Sequence, residues 1–118
     1  LAQLLISWGI RPQATIGYSI GEYVAACLAE VLSLEEAITM VAKRAKTIQE
    51  LPGGAMLAVP LSEKEVQPFL NEKLSLSAIN GASLCAIAGA TDAIEELERL
   101  LIEKGLACRR IVTSHAFH

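Results

Sequence analysis

The sequence predicts a mixed α/β fold in two parts, which divide near the LPGG stretch at residues 51–54. Before this stretch, apolar residues recur mainly at the spacing of a helix, and after it β-rich runs alternate with helical patterns. The 118 residues are 53% hydrophobic and 19% charged, which is typical of a soluble globular protein. The chain is therefore long enough for one domain with a substantial core.

The first part, residues 1–52, is predicted to hold three helices and one short strand. In chain order these are a helix ending at Gly9, a strand at 14–17, a helix at about 20–29 and a helix from 34 to about Gln49. A single strand has no ladder partner, so we expect its neighbours to come from outside this chain. The start at Leu1 without Met and the end at His118 lead to the same expectation, a piece of a longer polypeptide.

The second part, residues 53–113, is predicted to alternate strands and helices. Its elements are a strand at 54–61, a helix from 62 to about Asn71, strands at 74–80 and 83–89, a helix at 91–104 and a strand at 107–113. This β-α-β-β-α-β order is that of a ferredoxin-like split βαβ unit. Residues 114–118 follow the last strand, and we expect them to return to the core formed by the first part.

Two serine and glutamate pairs mark the starts of predicted helices. Ser33 with Glu36, and Ser62 with Glu65, stand three residues apart. At this spacing, called a capping box, each side chain satisfies a free backbone N–H of the other residue.

Charge and composition argue against several classes of partner. Ten Lys and Arg are outnumbered by thirteen Asp and Glu, with no basic block, so we expect no nucleic-acid partner. No apolar run reaches the ~18 residues of a membrane span, and no signal peptide is recognisable, so we expect a cytoplasmic protein without a membrane partner. The three cysteines, Cys27, Cys85 and Cys108, are odd in number and widely spaced. This favours buried free thiols over a metal site.

The stretch GYSIG, residues 17–21, matches the G-x-S-x-G motif between a predicted strand and a predicted helix. In that context the motif forms a nucleophile elbow, which predicts an α/β-hydrolase-like core. Small flanking residues let the backbone pass close to Ser19, and the N–H of Ile20 would point at an oxyanion on a bound acyl group. The alternative is that Ser19 is an ordinary N-cap between two turn glycines.

A reactive serine also needs a base, because a neutral hydroxyl is a poor nucleophile. The only histidines are His115 and His118, so in the simplest scheme one of them is the base. The alternative is that both are ordinary loop residues. The only aspartate, Asp92, is already explained by the dipole of the helix that it begins, so no acidic triad member is assigned.

Arg44 falls at the edge of the apolar stripe of the third predicted helix, beside Ala37, whereas Lys43 and Lys46 fall on its polar side. A guanidinium in that position either reaches out to solvent or holds an anion. Its planar fork matches a carboxylate. A plain esterase has no use for such a clamp, but an enzyme acting on a substrate with a free carboxylate does.

Together these residues resemble the acyltransferase domains of modular polyketide synthases, which are similar to the malonyl-CoA:acyl carrier protein transacylases of fatty acid synthesis. The segments that carry the resemblance are GYSIGEYVAACLAEVLSLEEA, VAKRAKTIQ, LPGGAMLAV, INGASLCAIAG and TSHAFH. The resemblance extends over essentially the whole chain, although the chain covers less than half of such a domain. Tyr18 departs from the family, which usually has His there.

The resemblance implies a role for each candidate residue. Ser19 would accept the acyl group, His118 would be the base, and Arg44 would bind the malonyl carboxylate. His115 and Phe117 would belong to the specificity segment, because HAFH usually accompanies malonyl selection and the variant YASH accompanies methylmalonyl selection. Ile20 suits the malonyl pattern.

The resemblance also implies the reaction and its partners. A malonyl group would pass from malonyl-CoA to a serine ester and then to the phosphopantetheine thiol of an acyl carrier protein, without a metal or redox cofactor. Because the family's glutamine-containing oxyanion loop lies outside this sequence, we expect the isolated piece to be inactive or nearly so. Two other hypotheses remain open: an α/β-type serine hydrolase or thioesterase, and a non-catalytic docking fragment whose surface is residues 54–113.

Overall fold

The computed structural model describes all residues, 1–118, and the chain divides into two compact units, Leu1–Ile48 and Gln49–His118. Both helices and strands are present, so the predicted α/β class is confirmed. The division falls just before the LPGG stretch. Residues 114–118 belong to the second unit, and their predicted return to the core of the first part stays a prediction.

The first unit contains helices but no strand. Its elements are α1 (Ala2–Ser7), α2 (Gly21–Leu28) and α3 (Leu34–Gln49), the last of which ends at the boundary. The strand predicted at 14–17 was wrong, because these residues form neither strand nor helix. A strand needs a neighbour for its N–H and C=O groups, and this unit offers none. The side chain of Ile16 is 95% exposed as a result.

Both predicted capping boxes are present. The N–H of Ser33 donates to the Glu36 carboxylate at 2.8 Å, and the N–H of Glu36 donates to the Ser33 hydroxyl at 3.2 Å. Ser62 and Glu65 form the equivalent pair at the next helix. Hydrogen bonds from Ser33, chiefly from its backbone N–H, lower the pKa of Glu36. Hydrogen bonds from Ser62, chiefly from its side chain, lower the pKa of Glu65.

The second unit is built on an antiparallel sheet. Its elements are β1 (Ala55–Val59), α4 (Glu63–Val66), a 3-10 turn (Gln67–Phe69), β2 (Leu74–Gly81), β3 (Leu84–Gly89), α5 (Thr91–Glu103) and β4 (Arg109–Ile111). The strands lie in the order β2-β3-β1-β4. The helix predicted to reach Asn71 is shorter than expected, because Pro68 has no N–H to donate to an α-helical hydrogen bond and the chain tightens into the 3-10 turn.

One face of the sheet packs against α5 and α4 and forms the core. Alternate residues of β1 point inward, and β3, α5 and α4 contribute the other large side chains. The fully buried residues are Leu57, Val59, Val66, Cys85, Ile87, Ile94 and Leu101. Burying one large aliphatic side chain contributes about 1.5–3 kcal/mol, so this cluster is the main source of stability in the second unit.

The edge strand β2 contains a β-bulge. Leu76 pairs with Ile87 and Ala78 pairs with Ala86, so β2 advances two residues where β3 advances one. Ser77 is the extra residue and has no opposite number in β3. A bulge of this kind bends its strand and changes the direction of a side chain.

Candidate active site

Ser19 lies in the turn that leads into α2. Its φ of 54° is in the left-handed region, which non-glycine residues rarely adopt and which is often found at functional sites. The side chain is half-buried. The N-cap of α2 is Ile20, and no side chain caps this helix, so the interpretation of Ser19 as an ordinary N-cap was wrong. The backbone geometry is that expected of a nucleophile elbow.

Three hydrogen bonds close this turn. The N–H of Gly17 donates to the Glu22 carboxylate at 3.0 Å, the N–H of Gly21 donates to the Tyr18 carbonyl at 2.9 Å, and the N–H of Glu22 donates to the Ser19 carbonyl at 3.2 Å. A Cβ on Gly17 would collide with the backbone of Gly21 and Glu22, whereas one on Gly21 would meet nothing. Only the first glycine of the motif is therefore required by close approach.

Arg44 is half-buried on α3, whereas Lys43 and Lys46 are exposed. Ala37, two turns earlier on the same side, is only 5% exposed. Arg44 therefore borders the apolar face of the helix, as the sequence predicted. No carboxylate of the chain forms an ion pair with it, which leaves the guanidinium able to receive an anion from outside.

An apolar groove of about 440 Å³ runs between α2 and α3. Its lining residues are Ile20, Tyr23, Val24 and Cys27 on one side and Leu34, Ala37, Ile38, Val41, Ala42 and Ala45 on the other. The groove thus borders both the residue after Ser19 and the α3 turn that carries Arg44. Ser19 and Arg44 are not among the lining residues, but each is next in sequence to one that is, Ile20 and Ala45.

The SHAFH segment, residues 114–118, belongs to the second unit and contains the remaining candidates. His115 is 8% exposed, and its Nδ1 is hydrogen-bonded to the Ser114 hydroxyl at 2.8 Å. Its ring packs edge-on against Phe117, with 6.3 Å between the ring centroids. His115 therefore lies in a loop, as the alternative interpretation expected, and is buried there against Phe117. His118 is exposed and has a φ of 61°.

Strand β2 and the residue before β1 hold the SHAFH segment in place. The Ser77 hydroxyl donates to the Phe117 carbonyl at 2.8 Å, and the N–H of Gly54 donates to the Ser114 carbonyl at 3.1 Å. A Cβ on Gly54 would lie 2.8 Å from both the Cβ and the N of Ala116, closer than such atoms come in proteins. The second glycine of the LPGG stretch therefore provides the space in which this segment lies.

The sequence alone did not identify Glu22, Ser77 or Gly54 as part of the site. Glu22 could have been found, because it is an acid in the first helical turn after the elbow and lies only five residues from Gly17. The LPGG stretch was part of the resemblance but had no assigned role. Ser77 left no signal, since a bulge in an alternating strand is not visible in one sequence.

All three cysteines are free, as predicted, but only Cys85 is fully buried. Desolvation raises the pKa of Cys85 and of Cys108, so neither is activated as a thiolate. No group of three or more His, Cys, Asp or Glu side chains is arranged to hold a metal ion. None of the helices combines the length and the apolar character needed to cross a membrane.

The chain is similar throughout to proteins of one family. The profile of the family described as "Acyl transferase domain" matches residues 1–118. The chain is 44% identical to the mycoketide-CoA synthase of Mycobacterium tuberculosis and 42% identical to the spectinabilin polyketide synthase system protein NorB of Streptomyces orinoci. These alignments cover 100% and 98% of this chain but 3% and 6% of the relatives, so it spans a small part of their length.

Solved structures give the same result. The acyltransferase domain from the second module of the salinomycin polyketide synthase matches with a TM-score of 0.93 and 42% identity, over 99% of this chain and 28% of that one. The acyl transferase domain of SpnD, in complex with 2-(pent-4-yn-1-yl)malonyl, matches with a TM-score of 0.90 and 43% identity, over 98% of this chain and 28% of that one.

Proposed function

Because the chain belongs to the acyl transferase domain family of modular polyketide synthases, we propose that it transfers a malonyl group from malonyl-CoA to an acyl carrier protein. The observation that supports this best is the Ser19 turn, whose left-handed backbone lies beside the groove that also borders the Arg44 turn. A serine nucleophile and a guanidinium in one site suit an acyl group that ends in a carboxylate. The product is a malonyl thioester of the carrier protein, which serves polyketide or fatty acid biosynthesis.

The first half of the reaction forms an ester on Ser19. Arg44 binds the free carboxylate of malonyl-CoA through two parallel hydrogen bonds. His118 accepts the proton of the Ser19 hydroxyl as Oγ attacks the thioester carbonyl. Backbone N–H groups, including that of Ile20, stabilise the oxyanion. The C–S bond then breaks, and His118 returns the proton to the CoA thiolate as it leaves.

The second half reverses these steps with a different thiol. The phosphopantetheine thiol of the carrier protein gives its proton to His118 and attacks the Ser19 ester. The C–O bond breaks, Ser19 recovers the proton, and the malonyl group leaves on the carrier. A backbone carbonyl orients His118 in place of an acid, and this acid–base and covalent chemistry uses no metal or redox cofactor.

The specificity of the site is assigned to the SHAFH segment. Phe117 fills the space that the α-methyl of a methylmalonyl group needs, and the ring of His115 supports it from the edge. One methyl group contributes only about 1–3 kcal/mol to discrimination, so this preference is expected to be moderate.

The larger architecture is also part of the proposal. The sheet order β2-β3-β1-β4, with β-α-β-β-α-β connectivity, supports a ferredoxin-like subdomain at residues 53–113. Residues 1–52, with 114–118, belong to an α/β-hydrolase-like core whose strands come from adjoining segments of a synthase polypeptide in the cytoplasm. The exposure of residues 14–16, which form neither helix nor strand, supports this, because a neighbouring strand would satisfy their backbone N–H and C=O groups.

Mass spectrometry tests the proposal directly. The synthase polypeptide is incubated with isotope-labelled malonyl-CoA, and we expect a malonyl adduct on the peptide that contains Ser19 and none in the Ser19→Ala variant. A folded protein that loads its carrier without this adduct contradicts the serine-ester mechanism.

The Arg44→Ala variant separates a malonyl transferase from a general serine hydrolase. A hydrogen bond to a charged group contributes about 1.5–3 kcal/mol, so the variant is expected to lower kcat/KM for malonyl-CoA by about 10- to 150-fold. Its kcat/KM for acetyl-CoA, which has no carboxylate, is expected to change little. Lys43→Ala, on the exposed side of the same turn, is the matched control. Equal losses for the two thioesters contradict the role of Arg44.

A further inference from the structure

The bulge in β2 directs one hydroxyl toward the SHAFH segment. Ser77 is the extra residue of the bulge, and its side chain is half-buried. Its hydroxyl donates to the Phe117 carbonyl across forty residues of chain, at 2.8 Å. Ser75, two residues earlier on the same strand, pairs regularly with Ala88 and is exposed. In a regular strand, Ser75 and Ser77 would point to the same face of the sheet. The bulge therefore gives the two serines different surroundings.

The bonded carbonyl lies at a sensitive position. The peptide group that contains the Phe117 carbonyl also contains the N–H of His118, so the hydrogen bond restrains the backbone on both sides of this group. One side carries the Phe117 ring and the other carries the imidazole of His118. A single hydroxyl thus restrains the two side chains to which the proposed function gives specificity and proton transfer.

A second anchor acts at the other end of the segment. The N–H of Gly54 donates to the Ser114 carbonyl at 3.1 Å, and the absence of a Cβ on Gly54 makes room for Ala116. His115 is buried between the two anchors. The segment is therefore held at its start by the residue that precedes β1 and near its end by Ser77.

We propose that Ser77 is a positioning residue, which fixes the Phe117–His118 peptide through the bulge in β2 and so sets both the acylation rate and the acyl preference. This inference rests on the proposed function for its kinetic consequences. The anchoring of the segment by Ser77 is independent of that function and has its own measurement.

The test compares three variants of the synthase polypeptide. Ser77→Ala removes the hydroxyl, Ser77→Thr keeps a hydroxyl on the same Cβ, and Ser75→Ala is the control on the same strand. Hydrogen exchange measured by mass spectrometry reports on the peptide that contains residues 114–118. Single-turnover kinetics with malonyl-CoA and methylmalonyl-CoA report on rate and preference, and Phe117→Ser serves as a reference for a widened acyl site.

In Ser77→Ala, amide hydrogen exchange in residues 114–118 is expected to be faster. Acylation of Ser19 is expected to be about two- to tenfold slower, since one neutral hydrogen bond contributes about 0.5–1.5 kcal/mol. The KM for malonyl-CoA is expected to stay within about twofold, because Arg44 still binds the carboxylate. The ratio of malonyl to methylmalonyl acceptance is expected to fall toward that of Phe117→Ser. Ser77→Thr is expected to restore all three quantities, and Ser75→Ala to match the wild type.

The outcomes separate this inference from the proposed function. If hydrogen exchange of residues 114–118 is the same in Ser77→Ala and Ser75→Ala, the anchoring is overturned, whatever the activity of the two variants. If exchange rises but rate and preference do not change in an active protein, the positioning role is overturned. If the wild type forms no ester on Ser19, the proposed function fails, and faster exchange in Ser77→Ala still supports the anchoring.

Discussion

The geometry around Ser19 depends on two residues that stand on either side of it. Gly17 has no room for a Cβ, and its N–H is bound by the Glu22 carboxylate at 3.0 Å. Glu22 also lies in the first turn of α2, where the helix dipole favours a negative charge. The contacts around the Ser19 turn span only five residues, which is why a short motif could indicate a sharp turn here.

Glu22 offers a test at this scale. Glu22→Ala is expected to slow the acylation of Ser19, because the N–H of Gly17 loses its partner and the turn is less restrained. Glu22→Gln keeps an acceptor oxygen and is expected to stay close to the wild-type rate. Glu35→Ala, an exposed acid in the first turn of α3, is the control. The measurement is the single-turnover rate of malonyl ester formation, and equal rates for Ala and Gln contradict the proposed bond.

At the scale of elements, local chemistry was predictable and long-range pairing was not. Both capping boxes lie within four residues, and the helices that they begin start where the sequence placed them, although α4 ends earlier than predicted. The strand predicted at 14–17 was wrong because the first unit holds no second strand to pair with it. The bulge at Ser77 was not predicted because it depends on the register with β3. For the same reason, Arg44 could be placed on its helix face, but the anchors of the SHAFH segment could not.

The LPGG stretch gives an element-level prediction with a neighbouring control. Gly54→Ala is expected to destabilise the second unit by about 1–3 kcal/mol, because the new Cβ meets Ala116 and backbone that cannot move freely. Gly53→Ala meets only the Ser114 carbonyl at 3.4 Å and is expected to stay within about 0.5 kcal/mol of the wild type. Urea denaturation measures both variants, and equal stabilities contradict the packing argument.

The second capping box predicts a pH dependence. The pKa of Glu65 lies below its ordinary value of 4.5, so the ionised carboxylate adds stability above pH 4.5 that is lost as the pH falls through the folded-state pKa. Glu65→Gln is therefore expected to be less stable than the wild type at about pH 7, and the difference is expected to close as the solution is acidified.

Glu63→Gln is the control for this pH dependence, since Glu63 shares the first turn of α4 but forms none of the hydrogen bonds with Ser62. Denaturant unfolding at several pH values measures the difference between each variant and the wild type. A gap between Glu65→Gln and the wild type that is constant with pH contradicts the role of the carboxylate charge.

At the scale of the whole molecule, buried apolar surface is shared unequally between the two units. The second unit contains every large fully buried side chain, whereas the buried hydrophobic residues of the first unit are only Ala25 and Ala37. Local opening requires little free energy where few apolar contacts are lost. In hydrogen exchange of the 118-residue chain, we therefore expect β1, β3 and α5 to be the slowest elements and α1 and α2 the fastest. Equal protection of both units contradicts this account.

The hydrogen bond between the Gly54 N–H and the Ser114 carbonyl also has a consequence for engineering. It joins the residue just before the first strand of the sheet to a residue three positions beyond the last strand. A module whose entry and exit touch can be transplanted as a cassette, because its replacement does not change the spacing of the two junctions. Replacing the residues between these two positions is thus a natural way to move the sheet and Ser77, which anchors the SHAFH segment, from one synthase to another.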